Sequence, residues 1–202
     1  MTVVTVRGPE LLRRGLRLEC ATLGWNVVGV VVLAVSAIRA GSPALAGFGL
    51  DSLIEIGASL VVVWELTGGS AAREARAMRL IGAGFVALVL YLIAQVSYTL
   101  VSSGRPAGSP LGIAWTALTF VAMMALAGGK LRTGRDLDNP VLRTEARVTL
   151  IDAYLAAAVL LGLVLNDALG WWWADPAAGL VIVYYAAREA HHALTHKQTA
   201  FT

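Results

Sequence analysis

Six apolar stretches divide this chain of 202 residues, each long and apolar enough to cross about 30 Å of hydrocarbon as a helix. They run from about Leu18 to Ile38, Leu45 to Leu66, Met78 to Val101, Leu111 to Leu126, Val148 to Leu165 and Trp171 to Ala187. No water is present in hydrocarbon to satisfy backbone N–H and C=O groups, so a spanning segment must be a helix or part of a closed barrel, and runs this long predict helices. The composition agrees, with 57% hydrophobic and 14% charged residues where a soluble domain carries about 25% charged. The predicted fold is an all-α membrane protein, a bundle of six transmembrane helices.

The links between the stretches alternate in charge, and that sets orientation. Of sixteen Lys and Arg residues, Arg39 and Arg105 fall at the turn-rich links around Gly41-Ser42-Pro43 and Ser102 to Pro110, and the other fourteen fall on the opposite side. By the positive-inside rule both termini face the cytoplasm and the chain sits in the cytoplasmic membrane as an integral, multi-pass protein. Residues 1–17 read as a cytoplasmic N-terminal segment, 18–190 as the six-helix domain and 191–202 as a short cytoplasmic tail containing histidine. Arg13, Arg14 and Arg17 precede the first stretch without a small-residue cleavage site, which predicts a retained helix. Trp171, Trp172 and Trp173 fall at the outer interface, where indole rings anchor a helix end. Asp167 and Asp175, beside that face, are expected to be reached by water.

Net charge of +3 suggests no nucleic-acid partner, because the basic residues are scattered between apolar segments, and the lipid bilayer is the partner they imply. One cysteine, Cys20, excludes an internal disulfide and a thiolate cluster and reads as a small packed hydrophobe. No Ser/His or His/Glu arrangement falls at depth, so the chain reads as no enzyme and needs no permanently bound cofactor.

What remains is charge where charge is costly. Asp51 and Glu55 lie one helical turn apart within the second stretch, with Ser59 next at the same spacing. An ionised acid near the bilayer centre costs roughly 2.5–3.5 kcal/mol, and two that repel each other require a cation, protons or water. Asp152 in the fifth stretch is a third, with Thr149 three positions and Glu145 seven positions earlier on the same side. At about 1.5 Å per residue, Asp51 lies about 12 Å and Glu55 about 18 Å inward from the outer link, and Asp152 about 13 Å outward from Arg143. These depths overlap, so three carboxylates on two helices could supply the oxygen ligands of one divalent cation, and the first two could exchange protons for it. No Lys or Arg is expected deep in any stretch, and Lys130, Arg132, Arg135 and Arg143 read as a link that anchors topology.

GSPALAGFGLDSLIEIGASLVVVW, a short turn followed by an acid, three residues and a second acid, resembles the second helix of the cation diffusion facilitators, the divalent-metal/proton antiporters. TEARVTLIDAYLAAAVLLGL and GWWWADPAAGLVIVYYAAREA are similar to the fifth and sixth helices of that family, and the resemblance covers roughly Leu18 to Ala190. It implies a metal site at Asp51, Glu55 and Asp152. Many zinc-transporting members have a histidine four residues before the fifth-helix aspartate, where this chain has Val148. The missing ligand has candidate substitutes in Thr149, in Asn26 of the first stretch, in Gln95 of the third and in water, while Glu19 is placed to line an inner vestibule or to balance Arg14 or Arg17. His192 and His196, one turn apart, are a candidate cytoplasmic metal capture site beside His191.

The resemblance implies efflux of a divalent metal, Zn, Mn, Fe or Co, by proton-coupled antiport, and a homodimer. The fifteen or so residues after the sixth stretch are too few for the cytoplasmic metal-binding domain that many members carry. With Val148, that motivates an alternative, a non-transporting metal-binding subunit or sensor with the same fold.

Overall fold

The computed structural model of the chain describes residues 8–66, 71–102, 105–138 and 140–195; the side chains at 58–59, 61–81 and 144–145, among others, lie outside that description. Six helices follow one another: α1 (Gly8–Ala40), α2 (Pro43–Leu66), α3 (Ala71–Val101), α4 (Pro110–Asp136), α5 (Pro140–Leu169) and α6 (Ala174–Thr195), with no strand among the described residues. Arg13–Ala40, Gly82–Val101, Pro110–Asp136 and Ala146–Leu169 are long and apolar enough to cross a membrane, and α2 and α6 complete the bundle. Its lateral surface is apolar, with Val31, Ile38, Leu90, Val121, Leu161 and Tyr184 exposed as hydrocarbon requires.

The helices outrun their apolar stretches chiefly at the basic end. α1 starts at Gly8, ten residues before Leu18; α4 runs to Asp136, ten beyond Leu126; α5 starts at Pro140, eight before Val148. Hydropathy marks where a helix leaves hydrocarbon, whereas the helix ends only where its backbone meets a breaker or cap. Gly41 and Gly170, both at positive φ, close α1 and α5 at the other end. Two Ser-Pro pairs restart the chain there. Ser42 and Ser109 are N-caps whose hydroxyls accept from the amides of Leu45 and Gly112, and Pro43 and Pro110 take the first helical position, where a missing N–H costs nothing.

α2 is the central helix, in contact with α1, α3, α5 and α6, while α4 packs against α5 and α1. Between helices in lipid no hydrophobic force acts, so close packing of small residues takes over. A Cβ on Gly47 would stand 2.7 Å from Leu92 of α3, and one on Gly162 would stand 2.8 Å from the Ala174 carbonyl and from Ala178 of α6. Trp25 of α1 stacks on Trp115 of α4 with centroids 5.0 Å apart, and its indole N–H donates to Thr119 at 3.0 Å. The buried apolar cluster, with Leu33, Leu45, Phe48, Leu92, Val159 and Ile182 at its heart, fills the half of the bundle nearest the α1–α2 turn.

Asp175 does not meet water. It is 0% exposed and accepts hydrogen bonds from the Ser42 hydroxyl and the Ala44 amide at the first turn of α2. A carboxylate at a helix N-terminus satisfies amides that have no partner within the helix, which explains why this acid is buried where its neighbour Asp167 stays exposed. Trp171 and Trp173 are about half exposed and stacked on each other at the same end, as expected of anchors.

Candidate metal centre

One turn of α2 carries Asp51 and Glu55 to the face that meets α5, and α5 answers with Asp152. The three residues each offer a carboxylate oxygen, and these oxygens all lie within 4.8 Å of one another. Asp51 is 6% exposed, Asp152 2%, and Glu55 is half-buried. Neither carboxylate oxygen of Asp152 has a hydrogen-bond partner, although both are buried. An acid left so is costly unless something absent from the chain itself engages it. Asn26 of α1, itself buried, donates from its amide nitrogen to Glu55 Oε2 at 3.0 Å and so fixes the direction of that carboxylate.

Above and below this group the surroundings differ sharply. One turn toward the α1–α2 turn lie Phe48 of α2 and Leu155 and Ala156 of α5, all buried, so the apolar cluster closes that side. One turn the other way lies Thr149, also buried, and against it stands Lys130 of α4. The Lys130 ammonium is 2.9 Å from Glu19 Oε2 and 3.1 Å from the Thr149 hydroxyl.

That overturns the expectation that no Lys or Arg lies deep in the bundle. Lys130 is 0% exposed and is the buried basic side chain among the described residues. The hydropathy of α4 falls at Gly128-Gly129, as at a surface link, whereas the helix and its packing stripe continue. Gly112, Thr116, Thr119, Met123, Ala127, Lys130, Thr133 and Gly134 are all buried. That three-and-four spacing of small and polar residues was the available signal. Glu19 is correspondingly balanced by Lys130 and not by Arg14 or Arg17.

Val148 is 43% exposed, and a valine side chain offers no ligand atom. Thr149 takes the inward direction instead, but its hydroxyl accepts from Lys130. Gln95 is partly buried on α3, which packs on α6 and α2. Cys20 is exposed on α1 and not packed. His191 is exposed at the end of α6; the side chains of Glu145, Ser59 and His192, and all of His196, lie outside the described residues.

Three carboxylates brought together on α2 and α5 offer hard oxygen donors that could hold a divalent ion. The model of the cation efflux transmembrane domain matches residues 20–195. The chain belongs to the cation efflux family. It is therefore an integral, multi-pass membrane protein of a family of cation transporters, for which metal ions are transported substrates. The match spans all six helices of this cation efflux chain, from just after Glu19 to the end of α6. No curated protein matches the chain.

Proposed function

We propose that this protein exports a divalent transition-metal ion from the cytoplasm in exchange for protons, with Asp51, Glu55 and Asp152 as its ligands. The observation that carries the reading is the meeting of three carboxylates within 4.8 Å across α2 and α5, with both oxygens of Asp152 buried and without hydrogen bonds. Ionised carboxylates packed this closely repel one another, and either a divalent cation or protons relieve that repulsion. Competition between the two for the same oxygens is what couples them, because each ion bound displaces the other by mass action. Alternating exposure then turns competition into exchange. Metal enters from the basic, cytoplasmic end, and a rearrangement that parts the apolar cluster near the α1–α2 turn opens the site outward, where protons replace the ion.

With oxygen donors alone the site favours hard ions, Mn²⁺ foremost, then Fe²⁺ and Co²⁺, over the softer preference of a histidine-containing zinc site. Val148, which carries no ligand atom, leaves the fourth position to water or to Asn26. We further assign residues 1–17 and 191–202 to the cytoplasmic side of the cytoplasmic membrane.

The test is metal uptake into inside-out proteoliposomes under an imposed pH gradient, with Mn²⁺, Zn²⁺ and Co²⁺ compared for the wild type and Asp51→Ala. Uptake that requires both the gradient and Asp51 is the expected result, with the variant at least about 100-fold slower, in line with loss of a ligand and of transition-linked charge. Metal binding without flux in the folded wild type would instead mark a non-transporting metal-binding subunit.

A further inference from the structure

We propose that Lys130 is a tethered counter-cation of the carboxylate site: anchored by Glu19 and Thr149 one helical turn inward of Asp152, it sets a positive charge beside the cargo ion and loosens its grip. The inference rests on the reading of Asp51, Glu55 and Asp152 as the metal ligands and adds to it a residue that tunes their affinity.

Geometry carries the argument. Thr149 precedes Asp152 by three residues on α5, and the Lys130 ammonium is 3.1 Å from its hydroxyl, so the charge lies about one turn from a ligand along the same helix. Lys130 comes from α4 and Glu19 from α1, so the ammonium spans three helices on the side from which a cytoplasmic ion arrives. Glu19 from α1 and Thr149 from α5 are among the groups that face the ammonium.

A purely structural role fits poorly. A buried ion pair stabilises a fold only when its remaining lone pairs and protons are also satisfied. Here Glu19 Oε1 is buried without a hydrogen-bond partner. The pair is thus incompletely satisfied, and its position beside the carboxylates is the more informative property.

Electrostatics gives the consequence a sign. At an effective dielectric constant of about 20, a unit charge about 8–10 Å from a divalent ion changes its affinity by more than tenfold. Three carboxylates alone would hold a divalent ion tightly and release it slowly; a neighbouring ammonium offsets part of that attraction. Glu19 in turn screens the ammonium. Removing the lysine should therefore tighten metal binding, and removing the glutamate should weaken it.

The test is titration of the full-length, detergent-solubilised protein with Mn²⁺ and with Zn²⁺, alongside proteoliposome flux, for Lys130→Met, Glu19→Gln, the double variant and Asp51→Ala. Lys130→Met is expected to bind at least tenfold more tightly, with lower KM and lower kcat, and Glu19→Gln at least tenfold more weakly. A merely structural contact would weaken binding in both. If Lys130→Met does not fold, the double variant, which removes both buried charges together, is compared with Glu19→Gln and is expected to bind at least tenfold more tightly. Metal binding that depends on Asp51 but does not tighten when Lys130 is removed, in either comparison, overturns the proposal and leaves the ligand assignment standing. A wild type that binds no metal, or binds it equally well without Asp51, overturns the ligand assignment and this proposal with it.

Discussion

Single side chains decide the chemistry of this site, and their directions matter more than their identities. Asp152 presents two buried oxygens with no hydrogen-bond partner, while Glu55 is held by the Asn26 amide. Both arrangements leave acceptor capacity aimed at one volume. Val148 illustrates the reverse, since it occupies the sequence position of a ligand in the resembling zinc transporters yet is 43% exposed. Val148→His is therefore expected to leave the order of metal affinities unchanged and each affinity within about twofold, because an imidazole at so exposed a position is solvated and adds no ligand. Competition titrations with Zn²⁺ and Mn²⁺ measure this; a selective gain for Zn²⁺ would show that position 148 reaches the site. The acids were legible in the sequence because a charge inside an apolar stretch has few explanations. The facing of Thr149 was not, because residues 148 and 149 differ by about 100° around the helix and only the packing of α5 on its neighbours fixes which one points inward.

At the scale of elements, the two ends of each helix obey different rules. The turn ends are set by local chemistry that the sequence displays openly: Ser42-Pro43 and Ser109-Pro110 begin helices, and Gly41 and Gly170 end them. Asp175 adds a tertiary bond to one of these turns by accepting from Ser42 and Ala44, so α6 is tied to the start of α2. Asp175→Ala removes both acceptors and leaves a hydroxyl and an amide buried; it should destabilise the fold by about 1–3 kcal/mol. A lower thermal unfolding midpoint in detergent with unchanged metal affinity is the expected result, and loss of metal binding in an equally stable variant would contradict it. The basic ends were read less well. α4 passes Leu126 without interruption and carries Lys130 into the bundle, because hydropathy averages over a window whereas burial follows one stripe of the helix. Gly128 and Gly129, which lower the apolar signal and suggest a link, lie within the helix.

The whole molecule is a six-helix bundle with its polar group between two unlike halves. Toward the α1–α2 turn the core is apolar and closed; toward the basic end it holds Thr149, Lys130 and Glu19. Such asymmetry suits a carrier, for which one barrier must be removable by repacking apolar side chains and the other by moving a charge. The number of helices and the membrane class were legible because bilayer thickness and backbone hydrogen bonding leave few choices. Which helices touch was not, since small residues permit several packings, and the pairing of α2 with α5 had to be inferred from matching depth alone. The measurement that bears most directly on the carboxylate site is a calorimetric titration of the purified protein with Mn²⁺ in buffers of different ionisation enthalpy, which counts metal bound and protons released. One ion per chain with release of at least one proton, both lost in Asp152→Asn and in Asp51→Asn, is the predicted outcome. Equal stoichiometry and proton release in the wild type and both variants would place the bound metal elsewhere and refute the role assigned to these acids.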